Sequence, residues 1–298
     1  MSAGSICTKP STPTSSASGV SAGPETSVGA RSELALRVTS ACVFVPAIFA
    51  LSWTGGKALL ALVLAIVGRG SWEFYRLAAG AGHRPLAGLG TALALGLSLY
   101  LYLKGPVHLE LVLSGSLLLC LLAALRQGVE GYSGRVWWTL GGVLYTGLLG
   151  SAPLLISRRV GPEEAGWLLI ALFGCIWLTD SAAYFCGRFW GRRKLASSIS
   201  PAKTVAGFVG GTFGGLVPLV LSPCIPLLSL GQLACLLVLV SLGGQGGDLV
   251  ESALKRDLGV KDAPALIPGH GGVLDRFDSY LFSFPIAYIY LELLAAAC

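Results

Sequence analysis

Residues 268–294 read PGHGGVLDRFDSYLFSFPIAYIYLELL. The first half is glycine, histidine, aspartate and arginine; the second half is apolar. No linker separates them, so Asp278 and Ser279 stand at the edge of a run, 277–297, that is long enough to cross a bilayer at the ~20 residues a helix needs. Working outward, the same alternation recurs. Hydrophobic residues make up 54% of the 298-residue chain and charged residues 12%, about half the charged share of a soluble domain. Apolar runs separated by short polar joints predict spans at about 34–53, 58–77, 86–103, 109–125, 136–156, 166–186, 204–221, 225–243 and 277–297. The expected fold is therefore all-α: a polytopic integral membrane protein of about nine transmembrane helices with polar active-site loops on the cytoplasmic face. Pro46, Pro153, Pro218 and Pro285 fall inside spans, where membrane helices tolerate them. The 41 glycines, with tandem pairs at 210–211 and 214–215, suit close helix packing.

Residues 1–30 are of another kind. They are rich in Ser and Thr and lack an apolar h-region, so they read as a disordered tail and not as a secretory signal. A Ser-rich organelle transit peptide is the alternative. The expected division is this tail, then N-terminal transmembrane helices over 31–165, then a C-terminal catalytic region over 166–298. The eight cysteines form no CxxC and no zinc spacing, and most sit inside apolar runs as small hydrophobes. The formal charge of +6 speaks to orientation and not to nucleic acid. With the N-terminus inside, the positive-inside rule is obeyed, and the loops after the sixth and eighth spans share the cytoplasmic face.

Those two loops, with the stretch quoted first, hold the unusual chemistry. Around the sixth span, Asp180 sits near the end of an apolar helix, where a carboxylate is costly unless paired or coordinated. Arg188, Arg192, Arg193 and Lys194 follow, a group that alone reads as a lipid-headgroup anchor. Then come Ser200, Lys203 and Thr204 with Gly207, Gly210 and Gly211 at a helix start, a candidate phosphate cradle that is not a Walker A loop. At the end of the eighth span, Asp248, Glu251, Ser252 and Lys255 fall at i, i+3, i+4 and i+7 and so share one helix face. Before the last span, Gly271 and Gly272 follow His270, and Asp275, Arg276 and Asp278 come next. Asp248 and Asp275 lie on the same expected side of the membrane. Together they could hold a hard divalent cation, which prefers oxygen ligands and commonly takes one or two carboxylates plus substrate phosphates. His270 could bind phosphate, cap the loop or pack structurally. Arg69 and Glu73, four apart in the second span, could pair on one face, in a structural or cavity-lining role. Charges gathered at span ends, instead of at the midplane in broken helices, favour an enzyme acting at the membrane surface over a transporter.

Residues 252–279, SALKRDLGVKDAPALIPGHGGVLDRFDS, closely resemble the C-terminal hallmark of the phosphatidate cytidylyltransferase (CDP-diacylglycerol synthase) family, S-x-x-K-R-x4-K-D followed by P-x-H-G-G-x-x-D-R-x-D. Ser252, Lys255, Arg256, Lys261, Asp262, Pro268, His270, Gly271, Gly272, Asp275, Arg276 and Asp278 stand at matching positions. Trp177, Asp180, Ser181, Ala183, Tyr184 and Gly187, and the S-P-x-K-T-x-x-G block at 200–207, are similar to further family blocks. The sequence departs from the pattern at Thr179, Ala202, Ala206 and Pro264.

The resemblance implies cytidylyl transfer from CTP to phosphatidate, giving CDP-diacylglycerol and pyrophosphate, with CTP, phosphatidate and the bilayer as partners. It implies a magnesium ion on Asp248 and Asp275, in a two-cation centre whose second ion is monovalent. Catalytic roles fall to Asp248, Asp275, Lys255, Arg256 and Asp180. Substrate contacts fall to Ser200, Lys203, Thr204, Ser252, Lys261, His270, Gly271, Gly272 and Arg276. It also implies a homodimer, with the active site facing the cytoplasm of a bacterial plasma membrane or of an organelle. A CTP-dependent polyprenol or dolichol kinase and a non-enzymatic transporter are the alternatives. The placement has a physical reason: two acyl chains hold one substrate in the bilayer at about 0.8 kcal/mol per CH₂, and a nucleotide cannot enter it.

Overall fold

The structure, a computed structural model, describes residues 44–260 and 272–297. The tail 1–30, residues 34–43 of the first expected span, and the stretch 261–271 with Lys261, His270 and Gly271 lie outside the described residues. Phe44–Thr54 (α1), Gly56–Gly80 (α2), Ala87–Lys104 (α3) and Leu109–Leu125 (α4) come first. Tyr132–Gly142 (α5) passes through a π-turn at Val143–Leu148 and resumes as Ala152–Val160 (α6). Pro153 explains the break: it has no N–H to donate and its ring crowds the carbonyl one turn back. Pro162–Trp190 (α7) then leads into an antiparallel hairpin of Lys194–Ala196 (β1) and Ser200–Thr204 (β2), with Lys194 opposite Thr204 and Ala196 opposite Ser200. Val205–Gly214 (α8), a 3-10 segment at Val217–Cys224, Leu230–Asp257 (α9) and Leu274–Ala297 (α10) follow.

Seven of the described helices are long and apolar enough to cross a membrane, with Tyr132–Val160 and Val205–Cys224 each taken as one span. The chain is an all-α polytopic membrane protein. The expected spans at 34–53 and 109–125 correspond, among the described residues, to two shorter apolar helices, α1 and α4. The 17 residues of α4 rise about 26 Å at 1.5 Å each, short of a ~30 Å hydrocarbon core.

Lipid is as apolar as leucine, so burial alone does not drive membrane helices together; close packing and hydrogen bonds do. Two seams show this. Along α7 and α8, Gly207, Gly210, Gly211 and Gly214 lie against Ala183, Cys186, Thr179 and Ala182, and a Cβ on Gly211 would come within 2.9 Å of the Ala183 methyl. The tandem glycines thus serve packing, as their sequence reads. Along α9 and α10, a Cβ on Gly247 would stand 2.7 Å from the Asp278 carbonyl oxygen and 2.8 Å from the Phe282 ring. Small buried hydroxyls tie the remaining helices: Ser71 to Thr146 at 2.6 Å, Ser151 to Ser98 at 2.7 Å and Thr179 to Ser241 at 2.9 Å. Buried Tyr75 donates to the Thr139 carbonyl at 2.7 Å, and Tyr280 donates to the Gly150 carbonyl at 2.5 Å.

Candidate active site

The site begins with α9. Ser229 and Gln232 form a capping box that fixes the start of this helix. Twenty-eight residues then run without a break to Asp257, so the apolar part carries its polar end along one face. Ser252 hydroxyl faces Asp248 Oδ1 at 3.4 Å, and Lys255 Nζ meets Glu251 Oε1 at 3.2 Å. The i, i+3, i+4, i+7 face read from the sequence is therefore present, and it is engaged by neighbours on both sides.

On one side, the hairpin delivers Lys203. Strand β2 ends at Thr204, whose side chain accepts from the Gly207 N–H at 3.1 Å and so caps α8. Lys203, one residue earlier, reaches α9 and pairs with Asp248, Nζ to Oδ2 at 2.7 Å. On the other side, α10 delivers Asp275, whose Oδ1 takes Lys255 Nζ at 2.7 Å and whose Oδ2 accepts from Gly272 N–H at 3.3 Å. Asp278, one turn on, accepts from the Ser279 N–H at 2.6 Å. Asp180, from α7, is near Asp248, Asp278 and Lys203. Fully buried Glu251 lies against Asp275, Asp278 and Lys255.

The result is an acidic row formed by Asp180, Asp248, Asp278, Glu251 and Asp275, in which Lys203 pairs with Asp248 and Lys255 with Asp275 and Glu251. Among the described residues, no three His, Cys, Asp or Glu side chains close around one point as a metal cage would. A cavity of about 400 Å³ opens beside the row, lined by Asp180, Tyr184, Arg188, Lys203, Thr204 and Asp248.

A second helix holds the row in place. Glu73 on α2 is fully buried, and both of its oxygens are engaged. Oε1 takes Arg69 Nε at 2.9 Å, and Oε2 accepts from the Leu274 N–H at 2.7 Å. Leu274 is the first residue of α10, so a carboxylate from α2 caps the helix that carries Asp275 and Asp278. Negative charge at a helix N-terminus is favourable both for the orphan amide and for the helix dipole.

Of the residues singled out by sequence, the structure brings Asp180, Lys203, Thr204 and Asp248 to the cavity wall, and Ser252, Lys255, Gly272 and Asp275 to the α9–α10 side. Ser200 opens β2 opposite Ala196. Arg256 and Arg276 are solvent-exposed. Lys261, His270 and Gly271 lie outside the described residues. Sequence reasoning did not assign the central acids Glu251 and Asp278, the cavity residues Tyr184 and Arg188, or the cap from Glu73. Glu251 and Asp278 did share the motif faces already noted, which was a usable signal.

The fold and the site define a class: a polytopic membrane protein with a charged, oxygen-rich site where its apolar helices end. Residues 35–294 match the model of the cytidylyltransferase family, and the chain belongs to that family. Similar curated proteins carry the name phosphatidate cytidylyltransferase. That of Staphylococcus saprophyticus is 48% identical over 131 residues, 43% of this chain and 50% of the relative. That of Bacillus subtilis is 51% identical over 120 residues, 40% of this chain and 45% of the relative. That of Staphylococcus aureus strain COL is 46% identical over 131 residues, 43% and 50% of the two chains. The chain spans about half the length of the curated relatives it matches.

Proposed function

We propose that this protein transfers the cytidylyl group of CTP to phosphatidate, giving CDP-diacylglycerol and pyrophosphate. The observation that carries the reading is the acidic row with its two lysine–aspartate pairs, placed where apolar helices end, in a chain of the cytidylyltransferase family. In the reaction a phosphate oxygen of the lipid attacks the α-phosphorus of CTP, the bond to the β-phosphate oxygen breaks, and pyrophosphate leaves. No covalent enzyme intermediate is needed, so the work is positioning and charge neutralisation.

The residues fit a hard divalent ion, which we take to be magnesium. Every acidic donor is a carboxylate oxygen, and the ammonium groups of Lys203 and Lys255 already stand on Asp248 and Asp275 as cations in that position would. One or two carboxylates completed by substrate phosphates is magnesium's usual mode, so a three-ligand protein cage is not required. Asp248 and Asp275 would hold the ion, with a monovalent second cation in the same row; when bound, the metal supplies charge neutralisation to the triphosphate. Lys203 and Lys255 are then free to turn to phosphate oxygens. The Thr204 hydroxyl can donate to a phosphate while it accepts from Gly207, and Ser200 stands at the other end of the same strand. Asp180 orients Lys203 at the cavity wall. Ser252 steadies Asp248. Arg256 and Arg276, exposed at the same end of the bundle, with Lys261, His270, Gly271 and Gly272 of the linking segment, would receive pyrophosphate. We place the protein as a homodimer in a bacterial plasma membrane, with the site toward the cytoplasm.

The test is an assay of purified protein in detergent with CTP, dioleoyl phosphatidate and magnesium. CDP-diacylglycerol and pyrophosphate in equal amounts is the expected result. Release of CDP with a phosphorylated polyprenol would mean a kinase, and solute flux in liposomes without nucleotide consumption would mean a transporter.

A further inference from the structure

Among the described residues, two lysines of the site are bound to carboxylates, but another cation at the cavity is not. Arg188 lines the cavity two helical turns beyond Asp180. Its Nη1 donates to the Tyr184 hydroxyl at 3.0 Å, and among the described residues it has no carboxylate partner. The surroundings indicate where this guanidinium stands. Around it the last turns of α7 expose Tyr184 (59%), Phe185 (55%), Phe189 (69%) and Trp190 (70%). Outward-facing aromatic residues at a span end mark the headgroup level of a bilayer. The basic residues Arg192, Arg193 and Lys194 follow immediately and are exposed. Among the described residues Arg188 is therefore a cation without a carboxylate partner at the cavity wall, at a span end whose outward aromatic residues mark the headgroup level.

We infer that Arg188, together with Tyr184, receives the phosphate of the lipid acceptor at the bilayer-facing rim of this cavity. A guanidinium presents two parallel N–H groups to a phosphate, a geometry a lysine cannot copy. The Arg188 bond to the Tyr184 oxygen leaves the phenolic proton to donate to the same phosphate. The same cavity is also lined by Lys203 and Thr204, which suit nucleotide phosphates, and by Ala183, Leu195 and Phe208. A phosphate held at Arg188 could come from the lipid or from the nucleotide. The exposed aromatic face around the guanidinium favours the lipid.

This assignment rests on the cytidylyl-transfer reading, so the experiment has arms that separate the two. In mixed micelles, the phosphatidate mole fraction is varied at saturating CTP, and CTP is varied at saturating phosphatidate. Arg188→Ala is expected to raise the half-saturating phosphatidate fraction about tenfold, as loss of one charge-assisted hydrogen bond would. Its KM for CTP should stay within about twofold of the parent's, a change too small to be a lost contact. Arg188→Lys should recover part of the loss, and Tyr184→Phe should show a smaller shift in the same direction. Should Arg188→Ala fail to fold, Tyr184→Phe decides alone. A titration of CTP-free protein with dioleoyl phosphatidate against phosphatidylcholine, followed by tryptophan fluorescence, reads the same contact without turnover. A rise in KM for CTP instead, or unchanged phosphatidate saturation in an active protein, overturns the assignment while leaving the reaction intact. A parent protein that makes no CDP-diacylglycerol removes the reaction and this subsite with it.

Discussion

Replacing Glu73 should weaken the site from a distance, because this fully buried residue holds the helix that carries two of the acids. In Glu73→Ala, the Leu274 N–H loses the acceptor at 2.7 Å and Arg69 loses the one at 2.9 Å. The first loss resembles removal of an N-cap, about 1 kcal/mol. The second removes a charge-assisted bond, about 1.5–3 kcal/mol, and belongs at the low end because Arg69 keeps 20% of its side chain exposed. The expected destabilisation is thus roughly 2–4 kcal/mol. Glu73→Gln retains one oxygen for Leu274 and gives up the charge, so it should cost only about 1 kcal/mol. Unfolding of purified protein in detergent, monitored by far-UV circular dichroism, orders the three proteins. Activity provides the second reading. At a temperature where Glu73→Ala is still folded, its kcat should fall by about tenfold, an increment of ~1.4 kcal/mol in barrier, because Asp275 and Asp278 are no longer held in register with α9. KM for CTP should change less, since Lys203 and Thr204 stand on other elements. If Glu73→Ala unfolds like the parent, or if the alanine and glutamine variants are indistinguishable, Glu73 does not hold α10 in place.

The seam between α9 and α10 offers a matched pair. Gly247→Ala drives a methyl to 2.7 Å from the Asp278 carbonyl oxygen and should cost about 1–3 kcal/mol of overpacking and most of the activity, whereas Gly246→Ala, with nothing within 4 Å of its Cβ, should do neither; equal behaviour in thermal unfolding would refute the contact. Lys203→Met, which strips Asp248 of its 2.7 Å partner, should raise KM for CTP severalfold with the fold intact, and an unchanged KM argues against a nucleotide role. Asp248→Asn and Asp275→Asn should each abolish magnesium-dependent turnover, as should EDTA, while the proteins elute from detergent gel filtration like the parent; turnover retained in both variants would falsify the metal assignment.

What the sequence could and could not disclose follows from the range of each interaction. Hydropathy registers the surrounding solvent residue by residue, so α2, α3, α4 and α10 stand within a few positions of the runs read from composition. Helical periodicity placed Asp248, Glu251, Ser252 and Lys255 on one face because that relation is local. The hairpin escaped notice: SSISPAKT has no alternation of apolar and polar residues, and it is held by neighbours and not by its own pattern. The pairs Lys203–Asp248, Lys255–Asp275 and Glu73–Leu274 also escaped, since each joins separate elements, the last across 201 residues.

Yet the shortfall itself was informative at Glu73. A carboxylate that is to be fully buried must have both oxygens satisfied, or the cost of desolvation is left uncompensated. Local spacing supplies Arg69 for one oxygen and nothing for the other. A second donor therefore had to come from elsewhere in the chain, and the amide at the start of an acidic membrane helix is the kind of group that needs such an acceptor. The same count applies in reverse to Arg188: it is a cation at a cavity, and the partner one turn back on its own helix is the phenol of Tyr184. In Glu73 the missing partner is protein, because the group is sealed inside the bundle. Arg188 borders an open cavity, and the partner proposed for it is the phosphate of the lipid.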